Sequence, residues 1–300
     1  MNRRQFLKTS ALVGAALSMP GRLDLVWPKA EAAGLPDLAI VHGPSPAEIV
    51  KAALEALGGI KRFVARGDVV ILKPNIGWDR TPEFAANTNP EIVASIAKLC
   101  FEAGAKKVKV FDRPVVDPRR SYKQSGIADA VRAVGAEAEF MDDRRFKDMA
   151  LSGHALKSWP LYQDIFEADK VINIPVAKHH NLTGLTLGIK NWMGIMGGSR
   201  GKIHSNIDES LVDVSLKIKP ALTILDAVRV LTANGPSGGN LRDVKKLDTV
   251  IIGTDPVAVD AYGASLFGRK GDEIGYISAA HKAGLGTMDL SKIRLKKISL

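Results

Sequence analysis

The residues between Lys178 and His204 carry most of the chain's candidate chemistry. This 27-residue stretch, K-H-H-N-L-T-G-L-T-L-G-I-K-N-W-M-G-I-M-G-G-S-R-G-K-I-H, holds three histidines, four cationic side chains, two amide side chains and six glycines. Lysine is seldom buried without a partner, and glycine lets backbone bend or approach a ligand closely. This composition predicts the floor of an active or binding site.

Lysines and amides spread along the chain predict a pocket for an anionic small molecule. Lys73 precedes Pro74, which holds its backbone extended, so the lysine side chain is aimed in one direction. A lysine crowded by other cations has a lowered pKa and could act as a base or form a Schiff base. The alternative is that Lys73 and Lys190 only extend to solvent. The predicted substrate-binding residues are Lys73, Asn75, Lys178, Asn191, Arg200 and Lys202.

His179, His180 and Lys190 are the predicted catalytic residues. Because adjacent residues of an extended chain face opposite ways, one of the two histidines could reach the site while the other packs or caps. An imidazole titrates near neutral pH and suits general acid/base catalysis.

A metal site is a further hypothesis. His204, together with a neighbouring histidine and a carboxylate from Asp112 or Asp226, would give an open three-ligand site. No H-x-x-x-H or H-x-H pair fixes the ligand geometry, so a divalent metal is left open as a cofactor and its identity is not specified.

Several common sites are disfavoured by the motifs. Gly197-Gly-Ser-Arg-Gly-Lys202 fails the Walker pattern, because Met196 stands where its first glycine belongs and Ile203 where Ser or Thr should be. No G-x-G-x-x-G follows a predicted strand, and no G-x-S-x-G nucleophile elbow is present. Cys100 is the single cysteine, which excludes an internal disulfide and makes an iron–sulfur cluster unexpected.

The elements that would position these residues alternate between strands and helices. Continuous apolar runs predict strands buried on both faces, and apolar residues at helical spacing predict the helices between them. The predicted fold class is α/β, a mostly parallel sheet flanked by helices in a single compact unit. In such sheets, ligands bind beyond the carboxyl ends of the strands. Strands are predicted at 68–73, 107–112, 170–174, 221–225 and 247–252, and helices at 50–57, 93–100, 127–134, 206–214 and 256–267.

The N-terminus predicts export. Arg3 and Arg4, followed by Phe6-Leu7-Lys8, a short apolar run and a small-residue exit, resemble a twin-arginine signal. We expect a signal peptide over 1–32, a domain over 33–300, passage through the twin-arginine export machinery and a periplasmic or otherwise exported location. The apolar run is too short to cross a bilayer, so no stable membrane span is expected after cleavage. The net charge of +10 accompanies few aromatic residues, which disfavours nucleic acid as a partner.

Three motifs in order resemble one family. They are K-P-N-I at Lys73, K-H-H-N-L-T-G-L-T-L-G-I-K-N at Lys178 and G-T-D-P-V-A-V-D-A at Gly253. Together they resemble the domain of unknown function 362 family, many of whose members are described as iron–sulfur proteins. That resemblance implies no defined reaction. Relatives with clusters carry a cysteine-rich segment that this chain lacks, so any redox chemistry would need another cofactor or a partner protein.

Two functional classes remain from the sequence. The first is an exported enzyme that acts on an anionic small molecule through a Lys/His/Asn site, with metal assistance left open. The second is a non-catalytic periplasmic protein that binds an anion or a metal, or a redox-partner protein without its own cluster. Composition does not separate the two classes.

Overall fold

A ten-stranded mixed sheet forms the centre of the chain in the computed structural model, which describes residues 34–300. The signal peptide predicted over 1–32 lies outside these residues. The strands are β1 (Leu38–His42), β2 (Val69–Pro74), β3 (Lys107–Val110), β4 (Glu137–Ala138), β5 (Phe146–Ala150), β6 (Ser158–Tyr162), β7 (Lys170–Ile174), β8 (Val176–His180), β9 (Gly184–Thr186), β10 (Leu222–Leu231), β11 (Val244–Gly253) and β12 (Leu295–Ser299).

The sheet order is β12-β1-β11-β10-β7-β2-β3-β4, and the run from β10 to β4 is parallel throughout. β11 runs antiparallel to both of its neighbours, β1 and β10. The C-terminal half of β10 also pairs with β8, and β8 forms an antiparallel hairpin with β9. β5 and β6 make a separate two-stranded sheet. The predicted α/β class with a mostly parallel sheet is confirmed.

Helices cover both faces of the sheet. They are α1 (Pro46–Ala56), α2 (Pro90–Glu102), α3 (Pro118–Gln124), α4 (Ile127–Ala133), α5 (Asp164–Glu167), α6 (Ile207–Lys217), α7 (Pro256–Ser265) and α8 (Gly275–Lys282). The side chains of β2 alternate between two buried clusters: Val70 and Leu72 pack with α1, α2 and α4, whereas Ile71 belongs to the cluster of α6, α7 and α8. No helix within 34–300 is both long and apolar enough to cross a bilayer.

Local signals explain where the helices begin. The carboxylate of Asp255 accepts hydrogen bonds from the backbone N–H groups of Val257 and Ala258, and Pro256 occupies the first turn. α7 therefore begins at the residue where the predicted helix 256–267 begins. Asn89 caps α2 in the same way. A helix N-terminus leaves backbone donors without intrahelical partners, and these oxygens satisfy them.

Two segments differ from the sequence prediction. Lys178 and His180 lie within β8, a strand that was not predicted, because β8 finds hydrogen-bonding partners in β9 and β10. Asp226 was expected at a strand exit, but β10 continues to Leu231, so Asp226 lies inside the strand.

Candidate functional site

A cavity of about 740 Å³ lies beyond the carboxyl ends of β2 and β3 and beside β8. This is where the strand-end rule places ligands in a parallel sheet. The structure gathers most of the predicted site residues around it. Those that line the cavity are Asn75, Asp112, Lys178, His180, Lys190, Asn191, Arg200 and His204.

A buried ion pair closes the cavity wall near Gly194. Lys73 Nζ lies 2.8 Å from Asp112 Oδ1, and both side chains are almost completely buried. Asp112 also accepts hydrogen bonds from the backbone N–H groups of Ile76 and Arg113, and Lys73 donates to the carbonyl of Pro74. Burial lowers the pKa of Lys73, and the contact with Asp112 opposes that shift. Both charges therefore have partners, and a Cβ at Gly194 would overlap Asp112 Oδ1.

Lys178 lies in β8 with 2% of its surface exposed. Its ammonium group donates to Asn75 Oδ1 at 3.0 Å and to the carbonyl of Ala86. Neutral oxygens orient the ammonium group but do not balance its charge. Burial, followed by the positive charge of Lys190, lowers the pKa of Lys178 to about 7.

Lys190 begins a 3₁₀ helix over Lys190–Ile195 and is 7% exposed. Its Nζ contacts Met193 Sδ at 3.3 Å, and within residues 34–300 no carboxylate forms an ion pair with it. Burial, followed by the charge of Arg200, lowers the pKa of Lys190 to about 7. With a pKa of about 7, Lys190 is present as both ammonium and free amine near neutral pH.

A chain of amide side chains supports the lysines. Asn75 donates to Asn191 Oδ1 at 3.1 Å, and Asn191 donates to the carbonyl of Lys73 and to Asn173 Oδ1. Asn173 in turn donates to the carbonyl of Gly188. This hydrogen-bonded chain fixes which amide oxygen faces Lys178. Sequence reasoning missed Asn173, although a polar residue inside the apolar run V-I-N-I was the available signal.

Asp260 holds the turn that precedes Lys190. Its two carboxylate oxygens accept the backbone N–H groups of Gly188 and Ile189 at 2.7 and 2.8 Å. Burial raises the pKa of Asp260 to about 7, although these hydrogen bonds oppose that shift. A Cβ at Gly188 would lie 2.7 Å from Asp260 Oδ1, so glycine is required for this close approach. Asp260 therefore positions the backbone of the site.

Two arginines connect the segment from Met193 to Arg200 with the loop after β3. Arg200 donates to the carbonyls of Arg113, Pro114 and Met193, while Arg113 donates to those of Met196 and Gly198. Arg200 keeps its place on the cavity wall, but these carbonyls use much of its donor capacity. Arg113 follows Asp112 directly after β3 and was not among the predicted substrate-binding residues.

The two adjacent histidines face different cavities. His180 Nδ1 accepts the backbone N–H groups of Leu182 and Thr183, so the proton of the neutral ring lies on Nε2. Burial, followed by the charges of Lys190 and Lys178, lowers the pKa of His180 to about 3. His179 accepts the N–H of Gly235 and lines a separate cleft with Arg269. The neutral ring of His180 fits a hydrogen-bond donor to a ligand.

Two of the remaining predicted residues do not line the cavity. Lys202 is exposed and does not line it. Asp226 is buried, where it accepts the N–H groups of Asn89 and Val228. His204 lines the cavity, and its Nδ1–H donates to the carbonyl of Gly201. The structure therefore places His204 and Asp112 at one cavity and Asp226 outside it. In residues 34–300, no three His, Cys, Asp or Glu side chains are placed to hold a metal ion.

Cys100 does not fit an iron–sulfur cluster. It is the chain's single cysteine, and burial in α2 raises the pKa of its thiol to about 12. Clusters of this kind need several thiolate ligands.

Comparison with known proteins identifies two regions of the chain. The family described as Domain of unknown function (DUF362) matches residues 70–265. The twin-arginine translocation pathway signal sequence matches residues 1–20, which confirms the predicted export signal. The matched family region includes most residues of the cavity.

A curated relative and a solved structure illustrate what the chain is similar to. A thylakoid-associated protein of Synechocystis sp. is 33% identical over 205 residues, which are 65% of this chain and 62% of the relative. The chain thus spans less than two thirds of that relative's length. The lactate racemase apoprotein of Thermoanaerobacterium thermosaccharolyticum aligns with a TM-score of 0.47 and 14% identity over 76% of this chain and 56% of that one. Similarity at that level carries no argument about function.

Proposed function

The chain belongs to the family described as domain of unknown function 362, and we propose that it is an exported enzyme that binds an anionic small molecule in the cavity and transfers a proton through Lys190. The observation that carries the proposal is the pair Lys178 and Lys190. Both are buried, both line one cavity, and within residues 34–300 neither has a carboxylate in an ion pair.

An anion is the ligand that such a pair lacks. Burying an ammonium group without a counter-charge is costly, and the group responds by losing its proton more easily. A carboxylate or phosphate placed between Lys178 and Lys190 would supply the missing charge and would raise the pKa of both lysines. Anion binding near pH 8 would therefore be accompanied by proton uptake.

The same pair suits proton transfer. Near neutral pH a fraction of Lys190 is free amine, and a base is most effective when its pKa lies near the working pH. In the fraction of the complex in which Lys190 is free amine, a fraction that grows as the pH rises, its Nζ would take a proton from a carbon next to the bound carboxylate. The electron pair of that C–H bond would stay on the substrate. The ammonium of Lys178 and the Nε2–H of His180 would stabilise the negative charge that develops.

Hydrogen–deuterium exchange provides a test that needs no known substrate. The protein would be incubated in D₂O with acetate, pyruvate, lactate and malonate, and loss of each C–H signal would be followed by proton NMR. We expect wild type to catalyse exchange in at least one acid and Lys190→Met to lose it. Lys282→Met is the control, since Lys282 is exposed at the end of α8 and lies outside the cavity. Binding without exchange would favour a non-catalytic anion-binding protein, and absence of binding would contradict the proposal.

We also propose that residues 1–32 are removed on export, which leaves 33–300 as the mature chain. The twin-arginine signal matched over residues 1–20 supports removal of an N-terminal segment, and Ala30-Glu31-Ala32 is the small-residue sequence that would end it at residue 32. N-terminal sequencing of the exported protein would test it.

A further inference from the structure

Exposed apolar side chains line part of the cavity mouth, in contrast to the cationic floor. Leu182 and Val115 leave 69% and 62% of their surfaces exposed, and both line the same cavity as Lys178 and Lys190. One exposed leucine would need no explanation. Leu182, Val115 and the half-buried Trp78 line the same cavity, beside the exposed polar residues Asn181, Ser199 and His204. We call the three apolar residues the apolar rim.

Backbone hydrogen bonds fix the segments that carry this rim. Leu182 lies in the turn between β8 and β9, where its N–H donates to His180 Nδ1 at 3.1 Å. The N–H of Val115 donates to the carbonyl of Gly77 at 2.9 Å, which ties the segment after β3 to the segment that carries Trp78. The rim is therefore preformed from three anchored segments.

Depth separates the two kinds of lining. Lys178 and Lys190 are almost completely buried, whereas Leu182 and Val115 are mostly exposed, so a ligand that contacts all four must reach from the floor to the mouth. The volume of about 740 Å³ falls in the range of cavities that hold molecules much larger than an inorganic anion or a two-carbon acid. Water against the apolar rim is released when an apolar group covers it.

We infer that the ligand is an amphiphilic anion, with a carboxylate or phosphate head between Lys178 and Lys190 and an apolar body against Leu182, Val115 and Trp78. This inference rests on the proposed function, because it assigns the substrate class of the same cavity. The lysines set the affinity for the head, and the rim sets the preference for the body.

The test is a series of ligands that differ only in chain length. Binding of straight-chain carboxylates from acetate to decanoate would be measured by isothermal titration calorimetry below their critical micelle concentrations. A parallel series of alkyl phosphates would distinguish the two head groups. For wild type we expect the dissociation constant to fall roughly two- to fourfold with each added methylene until the rim is covered.

Variants separate the body from the head. The double variant Leu182→Ser/Val115→Ser should lose the gain with chain length and keep the affinity for acetate or methyl phosphate. Lys190→Met should weaken binding of every member by a similar factor. Leu241→Ser is the control, because Leu241 is 54% exposed and does not line the cavity.

The outcomes distinguish failure of this inference from failure of the proposed function. Equal affinity along both series, or a gain that persists in the double variant, would overturn the amphiphilic ligand and leave the anion site intact. If no member of either series binds wild type, the anion site itself is wrong and the inference falls with it.

Discussion

Two lysines of this protein, Lys73 and Lys190, are buried to a similar extent but have different interaction partners. Lys73 is completely buried against Asp112, which also accepts two backbone N–H groups. Lys190 is 7% exposed, contacts the sulfur of Met193 and has no carboxylate in an ion pair within residues 34–300. A carboxylate partner, more than the depth of burial, therefore distinguishes a lysine that stabilises the fold from one that is available to a ligand.

The largest expected effect comes from breaking the paired side of this comparison. Asp112→Asn would leave Lys73 buried without a counter-charge, and we expect the free energy of unfolding to fall by about 3–5 kcal/mol. Lys190→Met removes a buried cation that has no charged partner, so it should change stability by less than about 1 kcal/mol or increase it. Urea unfolding of both variants measures the difference. Equal losses would contradict the distinction between the two lysines.

A smaller effect is expected from crowding the ion pair through the backbone. A Cβ at Gly194 would overlap Asp112 Oδ1 and lie 2.6 Å from Lys73 Nζ. Gly194→Ala should therefore cost about 1–3 kcal/mol in thermal or urea unfolding. Gly201→Ala is the matched control, since a Cβ at Gly201 meets no atom within 4 Å. If Gly194→Ala is as stable as Gly201→Ala, the close packing of Gly194 against the Lys73–Asp112 ion pair is wrong.

The third effect is a pH dependence that belongs to the unpaired lysine. The pKa of Lys190 is about 7 in the folded protein and 10.5 in an unperturbed lysine. Between these two values the unfolded chain binds more protons than the folded chain, so this group makes stability increase with pH. Its contribution is up to about 1.4 kcal/mol per pH unit. The unfolding free energy of wild type should rise more steeply than that of Lys190→Met between pH 7.5 and 9.5, and parallel curves would contradict the lowered pKa.

The parts of the fold that were predictable from the sequence are those set by local pattern. The apolar run after Asp68 predicted β2, because both faces of that strand are buried by helices. The helix predicted over 256–267 begins at Pro256 as expected, where Asp255 caps α7. β8 was not predicted, since its polar end K-H-H resembles a loop until distant partners supply its hydrogen bonds.

The site was predictable in location and only partly in roles. The strand-end rule placed Lys73, Asn75 and Asp112 near Lys178, and strand alternation separated the two histidines. The rule failed for Asp226, because the length of β10 depends on pairing with β11 and β8. Residue type alone also could not show that Asp112 would pair with Lys73 rather than bind a metal.

The pKa of Lys190 tests most directly whether this buried lysine is available to an anion. Protein carrying ¹³C at lysine Cε would be titrated by NMR between pH 5.5 and 11, and the Lys190 signal would be assigned by its absence from Lys190→Met. We expect the titration of Lys190 to have a midpoint near pH 7 that moves upward when acetate or phosphate is added. A midpoint near 10.5, unchanged by either anion, would contradict it.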